Sequence, residues 1–195
     1  MRKLLIGAAG SFALAACDEA PNGPMTFQEL ADTPRAEAIT TLVAEDGYTD
    51  LASLPVTGTA EYQGIIGIGL GEDPNFEDTP ESLAGFGDLA MVVNLEANTV
   101  DGRADNFIDA ADGRTRGFLD LNGSIDRDVD LNDFFAMFGT MNGTLIEENG
   151  RVIVVTSTAS GDFYGEDGEF FVGKAEGDAF VDGAQTGFYA SYALE

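Results

Sequence analysis

The chain has 195 residues, with 9 basic and 35 acidic side chains and a formal net charge of −26. Such a charge repels nucleic acid and anionic lipid headgroups, and suits either simple solubility or a basic protein partner. Histidine and tryptophan are absent and there is one cysteine, which excludes Ser-His-Asp and Cys-His triads and histidine-based or multi-thiolate metal sites.

Arg2 and Lys3 precede an apolar run from Leu4 to Leu14, broken only by glycine and serine. These are the charged and apolar regions of an export signal. The run is shorter than the ~20 residues a spanning helix needs, and no later stretch reaches that length. Leu14-Ala15-Ala16-Cys17 has the form of a lipobox: small residues admit the signal peptidase, and the Cys17 thiol takes up diacylglycerol. Residues 1–16 therefore read as a lipoprotein signal peptide and Cys17 as the lipidation site. The alternative is an ordinary secretory signal with a chance cysteine. Each buried methylene contributes ~0.8 kcal/mol, so a multiply acylated cysteine tethers the chain firmly without spanning the bilayer. Losing Arg2 and Lys3 with the signal leaves 7 cations against 35 acids, a mature charge of −28. Asp18 resembles the inner-membrane retention signal of enteric bacteria, which leaves the choice between inner and outer membrane open.

Residues 17–25 include Pro21, Asn22, Gly23 and Pro24, a composition for a flexible tether. Residues 26–52 read as a short helical segment. Thr26 and Glu29 have capping-box spacing, and Thr33-Pro34 starts a second helix through Ile39, Leu42 and Val43 that ends near Gly47.

From about Thr57 the hydrophobic period becomes alternating, so residues 53–195 read as one all-β domain. Eight strands are expected at about 57–70, 87–95, 99–108, 115–125, 134–147, 151–164, 168–179 and 186–194. Leu89, Met91, Val93 and Leu95 share one face, as do Leu119, Leu121 and Ile125. The opposite faces carry Asp101, Arg103 and Asp105, or Asp120 and Asn122. The glycine run Gly67-Ile68-Gly69-Leu70-Gly71 has no Walker lysine and leads into Glu72-Asp73-Pro74, so it reads as a strand end and not a phosphate cradle. Asn149-Gly150 is the strongest hairpin signal, because both residues tolerate positive φ. Asn98, Asp112-Gly113, Asp167-Gly168 and Asp182-Gly183 mark further turns. Sequential antiparallel strands left flat would expose two long edges, so closure into a single soluble eight-stranded up-and-down barrel is expected. Gly139, Gly143, Gly173 and Gly177 fall inside strands, where bends and a filled interior leave no room for a side chain. A membrane barrel would put its apolar face outward and usually end on an aromatic, whereas this sequence ends Ala193-Leu194-Glu195.

The abundant carboxylates allow two chemistries. Asp126, Asp128 and Asp130 alternate like calcium ligands, but Leu131 stands where an EF-hand needs glycine and Met137 where it needs glutamate. An exposed acidic loop is the reading preferred, with calcium as the weak alternative and no cofactor expected otherwise. A glycosidase-like carboxylate pair is possible, but no pair stands apart from the rest.

Thr57-Gly58-Thr59-Ala60-Glu61-Tyr62-Gln63-Gly64, then Asn98-Thr99-Val100-Asp101-Gly102, then Gly161-Asp162-Phe163-Tyr164-Gly165 with Gly173 following, together resemble the β-barrel domain of transferrin-binding protein B. The resemblance runs from about Thr57 to the end, and factor H-binding protein and other surface lipoproteins look like relatives with the same barrel. It implies lipid anchoring to the outer membrane, display at the cell surface, and binding of a host protein or nutrient carrier. Transferrin-binding protein B has two lobes, each pairing a barrel with a handle domain; this sequence has room for one barrel, and no transferrin-binding residue carries over.

The expectation is thus a non-catalytic, lipid-anchored outer-membrane binding protein. A structural envelope lipoprotein without a discrete ligand, a carboxylate-based hydrolase, and a location on the periplasmic face of a membrane are the alternatives. In an up-and-down barrel the connections at about 71–86, 109–114, 149–150 and 180–185 share the end away from the tether. The longest holds Phe76 among Glu72, Asp73, Glu77 and Asp78, an aromatic anchor in an acidic ring suited to a basic partner. The competing expectation is that Phe76 folds back and plugs the barrel mouth.

Overall fold

The computed structural model describes residues 47–71, 85–109, 113–129 and 135–195. The signal peptide, Cys17, the tether, the expected helices up to residue 46 and the Phe76 cluster lie outside the described residues; residues 47–52, the end of the segment read as helical, form a bridge from Tyr48 to Tyr164 and a turn instead. So do Asp112 and Asp130.

Eight antiparallel strands follow in order: β1 Thr59–Leu70, β2 Gly85–Asn94, β3 Thr99–Asp109, β4 Arg116–Ile125, β5 Met137–Ile146, β6 Val152–Tyr164, β7 Phe170–Val181 and β8 Ala184–Leu194. Each pairs with its neighbour in sequence, and β1 pairs with β8, so the sheet closes into an up-and-down barrel. Closure satisfies the backbone groups that a flat sheet would leave along two edges.

Strict alternation sorts the side chains. Tyr62, Ile66 and Ile68 of β1, Leu89, Met91 and Val93 of β2, and Leu119, Leu121 and Ile125 of β4 all point inward and are buried. Outward positions carry Asp101, Arg103, Asp120 and Asn122, the reverse of a membrane-spanning barrel. The expected strand glycines make close approaches. A Cβ on Gly143 would run into the carbonyl of Phe118 and Cα of Leu119, and one on Gly177 would meet the carbonyl of Thr156 and Cα of Ser157. Gly143 and Gly177 accommodate the backbone of the neighbouring strand, whereas Gly173 also makes room for the buried Tyr192 ring, the filled interior inferred from sequence.

The β5–β6 connection is also wider than expected. Gly150 N–H donates to Glu147 O at 2.9 Å, Glu147 N–H donates to Arg151 O at 3.0 Å, and only Gly150, not Asn149, has positive φ. This is a type I turn with a glycine bulge in place of the two-residue hairpin. Asp182-Gly183 does form the two-residue turn, with φ of 50° and 87°.

Candidate functional site at the open mouth of the barrel

The two ends of the barrel differ. At the proximal end, where β1 begins and β8 finishes, residues 47–58 cross the opening. Thr49 N–H donates to Phe163 O at 2.9 Å, and its hydroxyl donates to Gly165 O at 2.7 Å. Leu51 and Leu54 are buried in the core. Arg127 fixes this strap: Nη1 donates to Leu54 O at 3.1 Å, Nη2 to Pro55 O at 2.8 Å and to Leu95 O at 3.3 Å, and Nε to Asn98 Oδ1 at 2.7 Å. A planar fork of five N–H donors is the side chain suited to several converging acceptors. Beneath lies an aromatic cluster, with Phe163 and Phe171 packed edge to face at 5.0 Å and Phe171 stacked on Tyr192 at 6.2 Å. Tyr62 donates its hydroxyl to Gly168 O at 2.6 Å, and burial first, then the nearby Glu169 charge, pushes its phenol up to about 12.

Arg127 lies within the aspartate run that raised the question of calcium. Asp126 Oδ1 accepts the N–H of Asp128 at 3.0 Å, and Asp126 N–H donates to Ala136 O at 2.8 Å. Both described members of that run therefore shape the turn that carries Arg127. Sequence reasoning passed over this arginine; its one signal was a lone cation inside an acidic turn.

Asp162 is the buried carboxylate of this half. It accepts the Ala136 N–H at 2.7 Å, and desolvation raises its pKa against the lowering effect of that bond.

Among the described residues, nothing crosses the distal mouth. Its cavity of about 410 Å³ is lined by Ile68, Leu70, Phe107, Ile108, Leu145, Ile153 and Phe188, with Asp109, Thr115, Glu147 and Arg151 among its polar lining. The strand ends position each group. A register shift between β2 and β3 at Phe86 to Asp88, with Asn106 at a φ of 56°, buries both Phe107 and Ile108. Asn106 Nδ2 donates to Asp88 Oδ2 at 2.9 Å and fixes the irregularity. Asp109 closes its own turn by accepting the Gly113 N–H at 3.0 Å. On the β5–β6 hairpin, Arg151 Nη1 pairs with Glu147 Oε1 at 3.2 Å, and Asn149 Nδ2 donates to Glu147 Oε2 at 3.1 Å. The volume lies within the roughly 300–1,000 Å³ range of small-ligand sites, and an apolar lining with a few polar groups can seat an apolar moiety and orient its polar end.

The mouth lies at the end to which the distal loops were assigned. Gly71 and Gly85, which flank the connection carrying Glu72, Asp73, Phe76, Glu77 and Asp78, border it: Gly71 N–H donates to Gly187 O at 3.1 Å and Gly85 lines the cavity. Those five residues themselves lie outside the described residues. The apolar mouth was not anticipated, because alternation alone does not reveal where a barrel's filling stops. A second, shallower hollow lies on the outer wall over β1–β4, where Glu61, Asp101, Asp120 and Arg103 surround Val92. Arg103 bonds Asp120 Oδ1 through Nε at 2.9 Å and Nη2 at 2.8 Å. Asp162 lines neither hollow.

No protein-family model and no curated protein matches the chain. Solved structures do. A single-substitution variant of the vaccine antigen transferrin binding protein B from Haemophilus parasuis Hp5 is 16% identical, with a TM-score of 0.51 over 76% of this chain and 28% of that one. A double-substitution variant of the same antigen is 14% identical, with a TM-score of 0.48 over 76% and 27%. The chain thus spans little more than a quarter of those proteins, and at such identity the likeness is one of fold: the chain carries an eight-stranded barrel of the transferrin-binding protein B type.

Proposed function

We propose that the chain is a non-catalytic binding module, lipid-anchored through Cys17 to the outer membrane and displayed at the cell surface, whose distal rim receives a protein or nutrient-carrier partner. The observation that carries this reading is the asymmetry of the barrel. Among the described residues, the strap and Arg127 cover the end at which β1 begins, while the far end has an apolar mouth with a polar border. Anchoring at the proximal side turns that mouth away from the membrane. The solved proteins of this barrel type are named for binding transferrin, which supports a protein partner; the acidic character of the chain, −26 overall, favours a basic one.

Two experiments test the reading. Metabolic labelling with a fatty-acid analogue should mark the wild-type chain and not Cys17→Ser, which should leave the membrane fraction; an unlabelled wild type ends the anchoring proposal. For the rim, the tagged chain is used to capture partners from native culture, beside Leu70→Trp, which fills the mouth, and Phe76→Ala. Lost capture at an unchanged thermal midpoint supports distal docking. Full capture by both variants overturns it, and a lowered midpoint for Phe76→Ala alone makes Phe76 a plug.

A further inference from the structure

The strap meets β6 through a pair of tyrosines. Tyr48 and Tyr164 form an antiparallel bridge, flanked by Thr49 N–H donating to Phe163 O at 2.9 Å and Gly165 N–H donating to Gly47 O at 3.2 Å. That pattern makes them a non-hydrogen-bonded pair, the kind whose Cα atoms lie about 4.5 Å apart and whose side chains leave one face in contact. The rings stack accordingly, with centroids 4.9 Å apart and planes at 29°. Their phenols share a hydrogen bond. Tyr48 is 55% exposed and Tyr164 is half-buried, so the pair is reached from solvent. The other three of the chain's five tyrosines sit differently. Tyr62 and Tyr192 are buried against Phe163 and Phe171, and the Tyr189 ring covers Gly69.

We propose that Tyr48 and Tyr164 are an oxidative cross-linking site, at which a one-electron oxidant fed by hydrogen peroxide joins the two rings as dityrosine and staples the strap to the barrel. Each ring gives up one electron and its hydroxyl proton. The two phenoxyl radicals couple carbon to carbon at positions next to the oxygens, and the displaced ring hydrogens return to the oxygens. Hydrogen peroxide takes up the two electrons and two protons, its O–O bond breaks, and it leaves as two waters. Radicals held ring against ring couple without having to find each other, which is what the stacked pair supplies. Burial first, then the hydrogen bond with Tyr48 and the charges of Tyr48 and Asp162, hold the Tyr164 phenol above its usual range, so it parts with its proton only as the electron leaves. The chain has no histidine or tryptophan to compete for the oxidant, and Met91, Met137 and Met141 are buried away from it. A chain with a single cysteine can form no internal disulfide, and the tyrosine link supplies a covalent staple in its place. Joining positions more than a hundred residues apart restricts the unfolded chain as a disulfide of that span does.

The test uses the full chain carrying Cys17→Ser, which removes the thiol and makes the outcome independent of acylation and of the binding role proposed above. Treated with a haem peroxidase and limiting hydrogen peroxide, it should keep the mobility of a single chain on a denaturing gel, lose the mass of two hydrogens and gain the blue fluorescence of dityrosine. Mass spectrometry of its peptides should find Tyr48 joined to Tyr164. Tyr48→Phe and Tyr164→Phe keep the stack and remove one phenol, and each should abolish the link; Tyr189→Phe should retain it. The linked chain should melt at a higher temperature and exchange the amides of residues 47–58 more slowly, whereas Tyr164→Phe treated alike shows neither change. In urea, which separates the rings, the yield of the Tyr48–Tyr164 product should fall by roughly tenfold or more. No link, links only between copies, links through Tyr62, Tyr189 or Tyr192 in place of the pair, an equal yield in urea, or a linked chain with unchanged midpoint and exchange overturns the proposal.

Discussion

The proximal and distal ends of the barrel are built from the same eight strands and finish differently. At the proximal end the strap supplies Leu51 and Leu54, Arg127 donates hydrogen bonds to the strap's carbonyls, and an aromatic cluster fills the space below. At the distal end, among the described residues, Leu70, Ile108 and Ile153 line a hollow of about 410 Å³. The difference teaches that closing a sheet satisfies its edges but leaves two holes, and each hole needs its own apolar cover or remains a place for a ligand.

The strongest way to break the comparison is to break the wall that joins both ends. Gly143→Val and Gly177→Val each drive a side chain into the adjacent strand's backbone, and each is expected to cost about 3 kcal/mol or more, since a backbone cannot give way as a side chain can. Thermal and denaturant midpoints should fall together for both ends. A midpoint unchanged in either variant would show that the strands need not approach so closely there.

Arg127→Met tests the seal itself. It leaves strap carbonyls without their donor, and a loss of about 1.5–3 kcal/mol is expected, because hydrogen bonds from a charged group count more than neutral ones. Hydrogen exchange should localise the opening to residues 47–58. At the distal end, by contrast, Leu70→Ala and Arg151→Ala should each cost about 1 kcal/mol, as expected for a partly buried side chain and an ion pair whose arginine is exposed. Equal losses at the two ends would remove the distinction.

The smallest effect sharpens the same contrast through pH. Tyr62 sits in the proximal half with its phenol raised to about 12 by burial, the Glu169 charge adding to the effect. The folded state keeps that proton after the unfolded chain has lost it at about pH 10, so stability is full below pH 10 and falls as pH rises toward 12. Tyr192, also raised by burial, acts in the same direction. Tyr62→Phe should flatten the alkaline limb of a stability–pH curve; an unaltered slope would mean that Tyr62 does not contribute to it.

Much of this was legible before any coordinates. The eight strands sit within a few residues of their expected places because a period of two is a direct consequence of one buried and one wet face. Nearest-neighbour pairing followed from short turns. The sequence also placed the distal connections on one rim. Its site residues there, from Glu72 to Asp78, and Cys17 rest on motif and composition, and their places lie outside the described residues.

By itself, then, the sequence determined the strand count, the alternation of faces, the antiparallel order and the acidic exterior, all of which depend on contacts between near neighbours along the chain. Only the tertiary structure decided that a strap crosses the proximal mouth, that an apolar hollow lies among the described residues of the distal one, that Arg127 reaches Leu54 and Pro55 from more than seventy positions away, and that Phe118 and Phe180 end the same row. The physical reason is register. A closed barrel sets side chains from distant strands at one height through the stagger of its hydrogen bonds, and that stagger belongs to the ring as a whole and not to any strand within it.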